Sequence, residues 1–134
     1  MSSMVSLSLD WAGDLSFTNS AGHPAITLQS SNREVASPPQ ALAYAVMACM
    51  GMDVVHVLQK GRHELRALTV RFEGERATEH PRRFVTMTIH FDVTTSAPAH
   101  VVERAIELSR TMYCSVWNTI RPDVALTTTL AVHA

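Results

Sequence analysis

The sequence has no excess of charge of either sign. Eleven Lys and Arg residues against twelve Asp and Glu residues give a net charge of −1 over 134 residues. The sequence therefore does not predict a basic surface that would bind a nucleic-acid backbone or an anionic membrane. Residues 1–10 have neither the basic nor the apolar region of a secretory signal, so we expect a cytoplasmic protein.

The longest apolar run is interrupted and is slightly short for a membrane span, which needs about 20 apolar residues. It covers residues 41–58 and contains Gly51, Asp53 and His56. We interpret it as a buried helix. The length of 134 residues fits a single domain covering residues 1–134, and a chain of this size buries roughly two-thirds of its unfolded surface.

Several motifs that carry chemistry are absent from the sequence. There is no Gly-rich phosphate loop and no order of residues typical of a Ser-His-Asp triad. We therefore expect no cofactor and no metal. A metal site built from Cys and His is a weaker alternative, because no ligand spacing links the seven histidines: His23, His56, His63, His80, His90, His100 and His133.

Alternating apolar residues predict short N-terminal strands, followed by a long helix. The strands are predicted around residues 5–11, 15–17 and 26–28, and residues 30–36 are predicted to form a loop. Ser37 with Gln40 has the pattern of a capping box, and the helix is predicted to end near Lys60, with Gly61 as its C-cap. This helix is apolar on nearly all sides, so burial against a second subunit is expected.

The second half of the chain predicts a hairpin, a helix and a last strand. The hairpin strands cover residues 68–73 and 85–93, and a helix begins near Ser96 or Pro98 with an apolar stripe that includes Ser109 and Met112. A short helical turn over residues 113–121 and a strand over residues 124–132 complete the chain. The order ββ(β)-α-ββ-α-β predicts an α+β fold with a mostly antiparallel sheet.

The two cysteines, Cys49 and Cys114, are the candidate reactive residues. In a cytosolic chain two cysteines are more often free thiols, ligands or redox groups than a structural disulfide. Each could also be a small buried apolar residue. Asp53 lies one helical turn after Cys49 and would oppose its ionisation, so a reactive Cys49 needs a cation or a hydrogen-bond donor from elsewhere.

Five segments together resemble the OsmC/Ohr family (osmotically inducible protein C and organic hydroperoxide resistance proteins). Two belong to the long helix, one to the hairpin turn and two to the approach to Cys114. They are residues 37–42 (SPPQAL), 48–55 (ACMGMDVV), 79–84 (EHPRRF), 102–109 (VERAIELS) and 113–116 (YCSV). Their order and the 65-residue interval between the cysteines also agree with the family.

The resemblance implies a mostly antiparallel sheet around two central helices, in an intertwined homodimer with its active sites at the subunit interface. It implies an antioxidant, stress-response oxidoreductase that reduces organic hydroperoxides. Cys49 would be the peroxidatic nucleophile and Cys114 the resolving thiol. The reaction would need a hydroperoxide substrate and an external dithiol reductant.

The sequence departs from well-studied members of the family at the start of the long helix and in the N-terminal strands. Such members have a Glu after the Ser-Pro or Asn-Pro start and an activating Arg in those strands. Here Pro39 and Gln40 occupy the region where those members have the Glu, and Arg33 is the only Lys or Arg before Lys60. This divergence motivates an alternative function, a non-catalytic dimer that binds an apolar small molecule at the subunit interface.

Overall fold

The computed structural model describes residues 7, 10–13, 16–19 and 25–134. The predicted strand positions 5–6, 8–9 and 15 lie outside this part. The chain divides into two compact units, Met1–Ala43 and Tyr44–Ala134. The prediction of one domain stays a prediction.

The described part of the first unit contains a small antiparallel sheet of three short strands. They are β1 (Asp10–Trp11), β2 (Ser16–Thr18) and β3 (Thr27–Gln29), which pair in the order β1-β2-β3. In the register, Phe17 lies opposite Trp11 on one side and Leu28 on the other. The predicted short strands are confirmed in this part.

The long helix α1 (Pro38–Lys60) begins at the predicted capping box. The Ser37 hydroxyl accepts a hydrogen bond from the Gln40 N–H at 3.4 Å, and the Gln40 amide oxygen accepts one from the Ser37 N–H at 3.0 Å. These bonds satisfy backbone donors that the first helical turn leaves free. At the other end, the left-handed residue is Arg62 (φ 61°), which follows Gly61.

The sheet of the second unit contains both kinds of strand pairing. It has the order β4 (Leu65–Arg76), β5 (Phe84–Thr95) and β6 (Ala125–His133). β4 and β5 form the predicted antiparallel hairpin, whereas β5 and β6 are parallel. The pairing is parallel because the chain crosses through α2 (Ala99–Leu108) and returns to the same end of the sheet.

The hydrophobic core of the second unit lies between this sheet and the helices. From Met87 to Thr95 every second residue of β5 is buried, as its alternation predicts. One stripe of α1 and one of α2 pack in the same cluster. The buried members are Val46, Met50, Val54, Leu58, Met87, Ile89, Phe91, Val93, Ala97, Val102, Ala105, Ile106, Cys114, Val124 and Leu126.

The segment after α2 differs from its predicted form. A π-helical turn (Ser109–Tyr113) precedes α3 (Ser115–Thr119), and Cys114 lies between them in an extended conformation. The Cys114 N–H donates to the Ser109 carbonyl at 2.8 Å, five residues back. The wider turn changes the helical register. Ser109 therefore stays buried, whereas Met112, predicted on the apolar stripe, is 66% exposed.

The described part of the second unit covers its part of α1 on one side only. It is long and apolar enough to cross a membrane, and a third of its most apolar window is buried. Tyr44 and Met52 are 62% and 68% exposed, and Ala48 between them is also exposed. The sheet of the second unit packs against a single stripe of α1, so burial of the other faces against a second subunit stays a prediction.

Candidate functional site

The fold brings Cys49 and Cys114 together from two elements that are 65 residues apart in the sequence. Cys49 lies in the middle of α1, and Cys114 lies where the π-helical turn ends. Their sulfur atoms and a carboxylate oxygen of Asp53 all lie within 4.8 Å of one another. Both cysteines are free thiols. The three side chains form what we call the thiol cluster.

Asp53 enters the thiol cluster because it lies one helical turn after Cys49, on the same face of α1. Its Oδ2 accepts a hydrogen bond of 2.7 Å from the hydroxyl of Ser109, which is fully buried. Helical spacing predicts Asp53 beside Cys49, whereas Ser109 was predicted only as a member of an apolar stripe. A serine on the buried face of a helix needs a hydrogen-bond partner, and this was the signal in the sequence for the contact between Ser109 and Asp53.

Burial controls the chemistry of Cys114. The residue is fully buried, and desolvation of the thiolate is the main cause that raises the pKa of its thiol from 9.0 to about 11. The neighbouring Cys49 and Asp53 raise the pKa further. The Trp117 N–H, which donates to the Cys114 sulfur at 3.2 Å, acts in the opposite direction. Cys114 is therefore a protonated thiol at neutral pH.

Cys49 is the more accessible of the two cysteines. It is partly exposed, and its remaining surface packs against the core of the second unit. An oxidant that arrives from solvent therefore meets Cys49 before it meets Cys114.

Arginine side chains near the C-terminal half of the fold are engaged away from the sulfurs. Arg110 donates to the Leu126 carbonyl at 3.1 Å, and Arg121 pairs with Asp123. Arg33, the single cation before α1, is exposed in the loop that precedes it. Within residues 44–134, no hydrogen bond or ion pair joins an arginine to either sulfur.

Histidine does not take part in the thiol cluster within the described ranges. The one group of three potential metal donors found there consists of Cys49, Asp53 and Cys114. The alternative of a metal site built from Cys and His therefore gains no support from the geometry. Any cation at this place would be held by two thiolates and one carboxylate, a donor set that suits Zn²⁺.

A shallow groove of about 410 Å³ runs along the exposed side of α1. It lies between the helix and β4 and is mainly apolar, with two polar side chains. The lining residues are Ala48, Gly51, Met52, Val55, His56, Gln59 and Leu68. A Cβ at Gly51 would lie 3.4 Å from a methyl group of Val70, which is ordinary van der Waals contact and places this part of α1 against β4.

The raised pKa of Cys114 predicts a loss of stability in alkaline solution. The unfolded chain releases this proton near pH 9.0, whereas the folded protein retains it to about pH 11. The contribution of the Cys114 thiol to the free energy of unfolding is thus intact below pH 9 and is lost as the pH rises from 9 to 11. Urea unfolding of the reduced protein at several pH values in this range measures how steeply the free energy of unfolding falls with pH.

Cys114→Ala provides the comparison for this experiment, because it removes the titrating group and leaves all others. We expect a smaller loss of stability per pH unit in the variant. Equal slopes in the two proteins would contradict the raised pKa.

The fold and the site define the class of this protein: an α+β protein with a long central helix and a pair of adjacent free thiols. The family model described as "OsmC-like protein" matches residues 31–129. The chain therefore belongs to the OsmC-like family. It is 33% identical over 127 residues to Protein YhfA of Escherichia coli (strain K12), covering 92% of this chain and 95% of that protein.

Solved structures show the same fold. A hypothetical protein from Aquifex aeolicus VF5 superposes with a TM-score of 0.89 at 24% identity, over 98% of this chain and 97% of that one. The OsmC-like protein from Mycoplasma pneumoniae superposes with a TM-score of 0.84 at 15% identity, over 100% of both chains. The organic hydroperoxide resistance protein OhrB of Bacillus subtilis superposes with a TM-score of 0.66 at 15% identity, over 95% of this chain and 98% of that one.

Proposed function

We propose that this protein is a thiol-dependent peroxidase that reduces organic hydroperoxides through Cys49 and Cys114. The observation that carries the proposal is the approach of two free thiols to within 4.8 Å. Membership of the OsmC-like family supports it, as does the fold shared with a protein named for organic hydroperoxide resistance. A pair of adjacent thiols can supply the two electrons that the reduction of one peroxide requires, because the pair is oxidised to a disulfide.

In the proposed reaction Cys49 acts first, because it is the accessible thiol. Its thiolate attacks one oxygen of the peroxide, the O–O bond breaks, and the alcohol leaves with a proton. Cys49 becomes a sulfenic acid. The sulfur of Cys114 then displaces the sulfenic oxygen as water, and a Cys49–Cys114 disulfide forms. The short distance between the sulfurs favours this second step, since little chain movement is needed.

An external dithiol completes the proposed cycle. Its thiolate attacks the disulfide, and exchange returns Cys49 and Cys114 to free thiols. Such a reductant is present in reducing compartments, which is consistent with a cytoplasmic protein whose cysteines are unpaired.

We also propose a homodimer in which the uncovered side of α1 contacts the partner subunit. Large apolar side chains on this side and after α2 are exposed in the single chain: Tyr44, Met52, Met112 and Tyr113. Exposed apolar side chains on this scale are typical of an interaction surface. An interface here would lie next to the thiol cluster, because Met52 lies three residues after Cys49 in α1 and side chains three residues apart are neighbours on a helix surface.

Intact-mass measurement with a free-thiol count tests the peroxidase proposal. One equivalent of cumene hydroperoxide is expected to consume both thiols and to lower the mass by about 2 Da, the two hydrogens lost in a disulfide. Peptide mapping should then find Cys49 linked to Cys114. Two thiols that persist in excess hydroperoxide would contradict the proposal.

The groove along α1 favours a second candidate function, the binding of an apolar small molecule. Its lining is mainly aliphatic, with His56 and Gln59 as the polar groups, a composition common in ligand sites. A parent protein inert to hydroperoxide, together with a Cys49→Ser variant that binds a fluorescent fatty acid as tightly as the parent, would favour this function. Absence of binding by the reduced parent would exclude it.

A further inference from the structure

The second step of the proposed reaction meets an obstacle at Cys114. The thiolate, not the thiol, is the nucleophile, and burial raises the pKa of Cys114 to about 11. At pH 7 only about one molecule in ten thousand then has Cys114 ionised. The step therefore needs a base that removes the proton as the sulfur attacks.

One carboxylate is placed to act as that base. An oxygen of Asp53 lies within 4.8 Å of both the Cys114 sulfur and the Cys49 sulfur, between which the disulfide would form. No other Asp, Glu or His of the described residues belongs to this cluster. A group that lies near both reacting atoms can take a proton from one and return it at the other.

The carboxylate of Asp53 is also held in a fixed position. The buried Ser109 hydroxyl donates to Oδ2 at 2.7 Å, which leaves the other oxygen, Oδ1, without that constraint. The π-helical turn supplies both Ser109 and, at its end, Cys114. The same turn thus positions the resolving thiol and the donor that orients the carboxylate.

We propose that Asp53 is the general base of the resolving step, accepting the thiol proton of Cys114 while the Cys114 sulfur attacks the sulfenic sulfur of Cys49. The inference rests on the proposed peroxidase function. It assigns Asp53 as a catalytic residue and Ser109 as the residue that positions it.

The step balances in atoms and electrons. The S–H bond of Cys114 breaks and its proton passes to Asp53, while the S–S bond forms and the S–O bond of the sulfenic acid breaks. The departing hydroxide takes the proton from Asp53 and leaves as water. Cys114 is oxidised, the sulfenic sulfur of Cys49 is reduced, and Asp53 returns to a carboxylate.

Asp53→Asn separates this role from a general effect on the site. The variant keeps the size of the side chain and removes the base. We expect disulfide formation to slow by on the order of a hundredfold, which is the lower end of the usual rate contribution of a general base. Formation of the Cys49 sulfenic acid needs no proton from Cys114, so its rate should not fall.

Two further variants keep the proposal testable if Asp53→Asn folds poorly. Asp53→Glu retains a carboxylate and should recover part of the resolving rate. Ser109→Ala keeps the base but removes the hydrogen bond that orients it, so a loss of about tenfold is expected. Glu103→Gln, which removes an exposed carboxylate from α2, is the matched control and should resolve at the parental rate.

The experiment is a single turnover of the reduced full chain with one equivalent of cumene hydroperoxide. Aliquots are quenched over time with dimedone, which traps sulfenic acids, and with iodoacetamide. Mass spectrometry then counts dimedone adducts at Cys49 and disulfide. In Asp53→Asn we expect the adduct to accumulate while the Cys114 thiol stays free. Disulfide formation at the parental rate in this variant would overturn the role of Asp53.

Failure of the underlying peroxidase function gives a different result. In that case neither the parent nor Cys114→Ser would form a dimedone adduct at Cys49. If the parent forms the sulfenic acid and Asp53→Asn resolves it as fast as the parent, the role of Asp53 is refuted while the peroxidase function stands. A fall in both rates to the same degree in Asp53→Asn would also overturn the proposal, because it would indicate a structural role.

Discussion

Cys49→Ser is expected to abolish hydroperoxide consumption, with a loss of more than about a thousandfold. A serine hydroxyl is not ionised near neutral pH and is a far weaker nucleophile toward the O–O bond than a thiolate. The substitution changes the volume little and lies at a partly exposed position in α1. The fold should therefore survive, and unfolding curves of the parent and the variant verify this.

Cys114→Ser is the informative partner of that experiment. The first oxidation should proceed in this variant, because Cys49 is intact, but no disulfide can form. One equivalent of hydroperoxide should be consumed and then turnover should stop, with further oxidant converting Cys49 to the sulfinic acid. Ferrous-xylenol orange assays follow the peroxide, and mass spectrometry follows Cys49.

Other outcomes would change the assignment of the two cysteines. Hydroperoxide consumption retained in Cys49→Ser and lost in Cys114→Ser would exchange the roles of nucleophile and resolving thiol. That exchange would be difficult to reconcile with the structure, in which Cys114 is fully buried and the pKa of its thiol is raised to about 11.

Met52→Glu is expected to dissociate the proposed dimer. Met52 is 68% exposed in the single chain and lies in the middle of the uncovered side of α1. A carboxylate there would be desolvated in the interface, at a cost of several kcal/mol. Since about 1.4 kcal/mol corresponds to a factor of ten, the dissociation constant should rise at least about a hundredfold.

Sedimentation equilibrium of the reduced protein measures this shift. Arg104→Glu is the control, because it changes charge by a larger amount at an exposed site on the polar face of α2. It should leave the dissociation constant within a few-fold of the parent. A parent that is monomeric at all concentrations would refute the dimer, and an unchanged constant in Met52→Glu would place the interface elsewhere.

Local patterns in the sequence determined most of the secondary structure. The capping box at Ser37 and Gln40 marks the start of α1, because it joins residues only three apart. The alternation along β5 predicts its buried face, because side chains of a strand point alternately to opposite sides. Interactions of this kind can be read in sequence because both partners lie within one element.

The candidate cysteines could be identified from sequence by their surroundings, but their environment could not. Flanking segments resembling the OsmC/Ohr family indicated Cys49 and Cys114, and the match of the family model to residues 31–129 confirmed that membership. Asp53 was placed beside Cys49 by helical spacing alone. No local pattern showed that Ser109 would bind its carboxylate, since the two residues are 56 positions apart.

Tertiary structure alone decided how the two thiols differ. The π-helical turn inserts a residue after Ser109, turns Met112 outward and brings Cys114 into the core, where desolvation raises the pKa of its thiol. The parallel pairing of β6 with β5 likewise depends on the crossover through α2. The sequence by itself determined which elements form and which residues are the candidates for reaction. The fold decided their burial and distances, because these depend on contacts between segments far apart in the chain.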